Sequence, residues 1–232
     1  MNKYQKKLII IGDSGVYGWG DLEGGGWSER LRQNWLNIDG APIIYSLGVR
    51  GDGLEKVAIR YKNEWATRGE LRRKVPEGIL LSIGLNDTAK IGRKDGRPQL
   101  SEDAFKFGLK QLVNEIKNEV NIMVLGLTPV NEDSMPFAEC LWYSNQACSK
   151  YENKIEETCL ELNVPFLSIH KKMINLLSFK ELLSTDGIHL NTKGHKWIYD
   201  QISEWPALKT VSYTHLRAHE TVLDLVCRLL LE

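Results

Sequence analysis

Five short, continuous apolar runs, each separated from the next by a longer stretch of helical periodicity, constrain this chain more than any other feature. The runs are Lys7 to Ile11, Ile43 to Ser46, Gly78 to Ile83, Ile122 to Leu127 and Pro165 to Ile169. A strand with one face in water alternates apolar and polar residues. These do not, so both faces must be covered, as in a parallel sheet buried between helices. The intervening stretches Gly26 to Leu36, Gly53 to Thr67, Glu102 to Glu119, Ser144 to Leu162 and Thr192 to Ser203 supply the covering helices. In the fourth, Tyr151, Ile155, Cys159 and Leu162 recur at helical spacing and are expected in the core.

The expected fold class is therefore α/β, a three-layer α/β/α sandwich around a five-stranded parallel sheet. Right-handed crossovers leave few strand orders, and we expect 2-1-3-4-5, the flavodoxin-like order. In such sheets ligands bind beyond the carboxyl ends of the strands where strand order reverses, so a site should draw on residues that follow the first three strands. With 232 residues and no Pro/Gly/Ser-rich linker, one domain is expected over residues 1–208. The segment from Lys209 to Glu232 breaks the alternation and resembles translated adaptor sequence. It is expected to be a non-native or appended tail, the alternative being a genuine helix from Leu216 to Leu231.

Lys plus Arg and Asp plus Glu balance at 30 each, so no overall field draws in a polyanion, and nucleic acid is not an expected partner. A small-molecule substrate fits that balance better. The apolar stretch near the N-terminus is too short for a signal-peptide core or a membrane span. Cys140, Cys148, Cys159 and Cys227 contain no C-x-x-C pair, which points away from a zinc or redox site. A reduced, cytoplasmic protein without metal or cofactor is expected, its oligomeric state open.

Directly after the first run stands Gly12-Asp13-Ser14-Gly15, a turn of small residues that would hold a serine at the carboxyl edge of the sheet. Alone it is an ordinary turn or helix cap. It is not the nucleophile elbow G-x-S-x-G, because Val16 replaces the last glycine. The second run leads into Ser46-Leu47-Gly48-Val49-Arg50-Gly51-Asp52-Gly53, the third into Gly84-Leu85-Asn86-Asp87. A glycine N–H and an asparagine amide converging near a serine are the donors that an oxyanion hole requires. After the fifth run comes Asp186-Gly187-Ile188-His189. Its D-x-x-H spacing can hold a carboxylate against one imidazole nitrogen while the other accepts a serine proton. Serine is a poor nucleophile at neutral pH, so such a base is chemically necessary.

These blocks, in this order, resemble the SGNH hydrolases, also called the GDSL esterase/lipase family, over roughly Leu8 to Trp205. The resemblance implies a serine-dependent hydrolase of carboxylic esters working through an acyl-enzyme. It implies Ser14, Asp186 and His189 as catalytic residues, and the N–H groups of Ser14 and Gly48 with the Asn86 amide as oxyanion hole. Gly15 departs from the family's name motif, which has leucine after the serine, and this bears on the pocket wall more than on proton transfer.

Near the serine lie Tyr17, Trp19 and Trp27, and the long connection after the fourth run carries Met135, Pro136, Phe137, Trp142 and Tyr143. Of these, Tyr17, Trp19, Phe137 and Trp142 are the expected substrate-binding residues, though core packing explains each aromatic as well. His195 is expected to face solvent and His170 to be structural; Asp13 and Asp87 should hydrogen-bond their turns. The alternative function is a doubly wound domain binding a nucleotide or flavin without hydrolysis, and a third is a catalytically silent carbohydrate-binding or scaffold protein. The first turn and Gly24-Gly25-Gly26 lack the lysine or G-x-G-x-x-G pattern of a phosphate cradle. Removing every residue after Lys209 is expected to leave soluble yield and ester turnover intact, checked by expression and by nitrophenyl acetate hydrolysis of the truncated chain.

Overall fold

The computed structural model describes residues 6–39, 41–69 and 75–213. Along the chain run β1 (Lys7–Gly12), α1 (Ser14–Tyr17), α2 (Trp27–Leu36), β2 (Ile43–Gly48), α3 (Leu54–Thr67), β3 (Gly78–Ser82), α4 (Leu85–Thr88) and β4 (Lys90–Ile91). There follow α5 (Glu102–Glu119), β5 (Asn121–Leu125), β6 (Leu141–Trp142), α6 (Asn145–Glu161), β7 (Phe166–Leu167), α7 (His170–Met173), α8 (Thr192–Ser203) and α9 (Pro206–Tyr213). The main sheet is parallel, in the order β2-β1-β3-β5-β7. Counting only its own five strands, this is the expected 2-1-3-4-5. The chain-order numbers differ because β4 and β6 pair antiparallel in a separate ribbon that the apolar runs did not announce.

The continuous apolar runs have a direct physical meaning. In β1, Leu8 and Ile10 point to one face and join α2 and α8 through Leu31, Trp35, Ile198 and Ile202. Ile9 and Ile11 point to the other and meet α3, α5 and α6 through Val57, Phe105, Leu109 and Ile155. Both faces are buried, so neither parity of the strand can be polar. The strand register then levels the carboxyl ends: Gly12 lies beside Gly48 on one side and Ser82 on the other. Whatever follows these three residues emerges at one height, at the switch point of the sheet.

The last two strands are shorter than their apolar runs, and one side chain explains both. Glu152, fully buried on α6, accepts from the N–H groups of Leu127 (2.8 Å), His170 (3.0 Å) and Lys171 (3.3 Å) and from the Ser168 hydroxyl (2.5 Å). The N–H groups of Leu127 and, at 3.4 Å, Ile169 turn to this carboxylate instead of a ladder partner, just beyond where β5 stops at Leu125 and β7 at Leu167. His170 opens α7 directly after this turn. Gly126 allows the approach: a Cβ there would stand 2.2 Å from Glu152 Oε2. At the other end, Trp205 and Leu208 are buried in the first core, and the expected boundary at Lys209 falls inside α9. Most of the expected tail, residues 214–232, lies outside the described residues.

Replacing Glu152 with leucine strands several buried donors at once. We expect a loss of about 3–5 kcal/mol of stability, read as a shift in the urea unfolding midpoint.

Candidate active site

The chain leaves β1 through Gly12 and turns at Asp13, whose carboxylate caps α1 by accepting from the Gly15 N–H at 2.8 Å. Ser14 is therefore the first residue of α1, nearly buried at 8% exposure, with its side chain held at the carboxyl edge. From the far end of the sequence, the loop before α8 folds back over this turn. It is fixed by Ser184 N–H to His189 carbonyl (2.7 Å) and by Asn131 N–H to Gly187 carbonyl (2.7 Å). Within it, Asp186 Oδ1 accepts from the N–H groups of Ile188 and His189, both at 3.0 Å, and Oδ2 lies 2.7 Å from His189 Nδ1. Burial alone would raise the Asp186 pKa, but the His189 ring and those two N–H groups outweigh it and hold the carboxyl below its usual range.

An ionised carboxylate only accepts, so Nδ1 of His189 carries the ring proton in the neutral tautomer. That leaves Nε2 to accept from the Ser14 hydroxyl at 2.9 Å. The three residues named from the D-x-x-H block and the first turn thus form one hydrogen-bonded chain.

The two other donors expected beside Ser14 also lie at this edge. Gly48 ends β2 against α1, so closely that a Cβ would stand 2.0 Å from the Tyr17 backbone nitrogen. Asn86 sits on α4. Its Nδ2 donates to the Asp52 carbonyl (3.0 Å) and, at 3.4 Å, to Asp13 Oδ2, while its Oδ1 accepts from the Tyr143 hydroxyl at 3.3 Å. This pattern fixes the amide: a flipped Asn86 would set its oxygen against two acceptors. Tyr143, counted in the sequence only among possible pocket aromatics, is nearly fully buried and orients Asn86 instead. No spacing in the sequence signals that contact.

Behind these donors lies a group of buried carboxylates. Burial pushes Asp13 up to about 6, against the Gly15 N–H, which pulls it down. Burial likewise pushes Asp87 up to about 7, against the Leu54 N–H that both its oxygens accept at 3.1 Å, with Asp13 adding repulsion. Asp13 braces its own turn, as expected, whereas Asp87 braces the start of α3, 33 residues away. Asp52 pairs with Arg60 at 2.8 Å, and Arg60 also donates to the carbonyls of Gly12 (2.8 Å) and Leu47 (3.0 Å), tying the ends of β1 and β2 together.

Of the expected substrate-binding aromatics, two reach the imidazole. Trp19 meets His189 edge-on at 6.2 Å between ring centroids, and Phe137 does so at 5.8 Å from a tight turn in which Ala138 and Glu139 take positive φ. Tyr17 is 57% exposed on α1, and Trp142 is half-buried in the β4–β6 ribbon beside Lys90. Trp27 belongs to the core and borders a small cavity of about 50 Å³ that is lined by Ser14 and His189 and extends inward along Leu125, Leu127, Ile169 and Ile198.

His195 corrects an expectation. It is fully buried rather than solvent-facing: Nδ1 accepts from the Trp27 N–H (3.2 Å) and Nε2 bonds the Trp19 carbonyl (3.0 Å). It anchors the Trp19 loop to α8, a long-range pairing invisible to helical periodicity. The glycine-rich turn is equally spoken for. Asp21 accepts from the N–H groups of Glu23, Gly24 and Gly26 and pairs with Arg30, so its own carboxylate fills the position a phosphate would need. The nucleotide-binding alternative thus loses its cradle. Among the described residues no His/Cys/Asp/Glu group has metal-binding geometry, and no helix is long and apolar enough to cross a membrane.

Known proteins resemble the chain in sequence and in fold. The sequence model of the GDSL-like lipase/acylhydrolase family matches residues 10–197. A GDSL esterase/lipase of Arabidopsis thaliana, CPRD49, is 23% identical over 166 residues; the match covers 65% of this chain, and the chain spans 65% of that relative's length. Among solved structures, a lipase/acylhydrolase from Enterococcus faecalis superposes with a TM-score of 0.68 at 18% identity, over 85% of this chain and 93% of that one. An acetylxylan esterase from Geobacillus stearothermophilus gives 0.62 at 17% identity, over 84% and 91%. At such identities the structural likeness is one of fold.

The raised carboxyl of Asp87 has a signed consequence for stability. Its folded pKa of about 7 exceeds the ordinary 3.8, so between those values the folded state binds more protons than the unfolded one. The stability it lends is complete below about 4 and is lost as pH rises through about 7. Thermal denaturation of Asp87→Asn should therefore improve relative to the parent as pH goes from 4 to 8; parallel curves would contradict the assignment.

Proposed function

Because the chain belongs to the GDSL-like lipase/acylhydrolase family, we propose that it is a serine-dependent hydrolase of carboxylic esters whose nucleophile is Ser14, whose general base is His189 and whose orienting carboxylate is Asp186. The observation that carries this reading is the unbroken hydrogen-bonded chain from Asp186 Oδ2 through both ring nitrogens of His189 to Ser14 Oγ. His189 Nε2 takes the hydroxyl proton as Oγ attacks the ester carbonyl. The carbonyl oxygen becomes an oxyanion facing the N–H groups of Ser14 and Gly48 and the Asn86 amide, which exchanges its long 3.4 Å bond to Asp13 Oδ2 for the oxyanion. His189 then passes the proton to the leaving alcohol, and water, activated by the same nitrogen, resolves the acyl-enzyme. Asp186 stabilises the imidazolium between these steps without giving up its own charge.

The cavity beside Ser14, at about 50 Å³, supports a small acyl group such as acetyl or propionyl over a long chain. Trp19 and Phe137 flank the base, where the alcohol portion would leave, and are the substrate-binding aromatics that geometry favours. Tyr17 and Trp142 stand further out and would touch only a larger alcohol. The free thiols of Cys140, Cys148 and Cys159 support a reducing, cytoplasmic setting. No metal or organic cofactor enters the proposed mechanism.

A fluorophosphonate probe should label the protein and fail to label Ser14→Ala. Turnover of nitrophenyl acetate should fall by about a millionfold in Ser14→Ala and by on the order of a hundredfold in Asn86→Ala. Labelling that survives in Ser14→Ala would overturn the assignment.

A further inference from the structure

Arg50 stands on the segment between β2 and α3, which is built onto the site at both ends. On one side of it the Val49 N–H bonds the Gly12 carbonyl (3.0 Å); on the other the Asp52 carbonyl receives the Asn86 amide (3.0 Å). Its guanidinium carbon lies 3.5 Å above the centre of the Trp19 ring, the same ring that meets His189. Among the described residues no carboxylate pairs with it. A guanidinium stacked on an indole gains cation–π attraction, keeps a fixed plane and leaves its N–H edge free, which is the geometry that matches a planar or tetrahedral oxyanion.

We propose that Arg50, stacked on Trp19, forms an anion-recognising subsite for the alcohol portion of the substrate, so that esters whose alcohol carries a carboxylate or phosphate are preferred. The side follows from the mechanism. His189 must protonate the departing oxygen, so the ring beside His189 borders the leaving group, while the small cavity beside Ser14 suits the acyl group. Arg50 itself is exposed at the rim, where an incoming alcohol portion can reach its guanidinium.

This inference rests on the hydrolase reading, and the experiment separates the two. The kcat/KM values of phenyl acetate, methyl 4-acetoxybenzoate, 4-acetoxybenzoate and 4-acetoxyphenyl phosphate would be measured with the parent, Arg50→Lys, Arg50→Gln and Ser14→Ala. In Arg50→Gln the preference for anionic over neutral esters should drop by about 10-fold to 100-fold, mainly through KM, with Arg50→Lys between the two. A drop confined to the carboxylate or to the phosphate substrate identifies the anion. A preference unchanged by Arg50→Gln, in a protein whose activity still depends on Ser14, overturns the subsite alone. Activity persisting in Ser14→Ala overturns the hydrolase reading instead.

Discussion

The 2.9 Å hydrogen bond between His189 and Ser14 joins groups 175 residues apart, and most of the architecture can be understood as what makes that contact possible. One partner is delivered by the first strand of the sheet, the other by a loop that precedes the last long helix of the sandwich. Neither element could place its side chain alone. The register that levels Gly12, Gly48 and Ser82 sets the height of the serine. The N–H groups of Ile188 and His189 converge on Asp186 and lock the loop's own shape before it meets the sheet. The imidazole is thus preorganised by local bonds and then positioned by tertiary ones, which lowers the entropy to be lost when substrate arrives.

A second constraint is electrostatic. Four aspartates lie around one serine, and each is handled differently: Asp186 by an imidazole, Asp52 by Arg60, Asp13 by the first turn of α1, Asp87 by the start of α3. Of these, Asp13 and Asp87 are the ones raised by burial. The fold tolerates that cost where a carboxylate is the simplest acceptor for backbone donors at the N-terminal ends of α1 and α3. Asp13 Oδ2 and the Asp52 carbonyl, both acceptors, keep the Asn86 amide from exchanging its nitrogen for its oxygen.

The sheet, its strand order and the residues of the hydrogen-bonded chain were legible in the sequence because they rest on short-range signals: uninterrupted apolar runs, turn residues at strand ends and a four-residue D-x-x-H block. What escaped were pairings between distant residues. His195 looked like an exposed helical residue because nothing near it in sequence names the Trp19 carbonyl and the Trp27 N–H as its partners. Nothing in the sequence around Glu152 names its donors, the N–H groups of Leu127 and His170 on the loops after two strands. Tyr143 passed for a packing aromatic. The β4–β6 ribbon, two residues per strand, is too short for periodicity to reveal.

The role of His195 bears on how such a scaffold could be diversified. By bridging the Trp19 carbonyl to the helix that directly follows the His189 loop, it couples the rim to the frame that carries the imidazole. Leu22, at 95% exposure in the turn between Trp19 and α2, belongs to no such bridge. Directed evolution that varies the tip of this turn can therefore explore new mouths for the enzyme without disturbing its machinery, whereas grafting a foreign loop across Trp19 would have to bring its own replacement for that bridge.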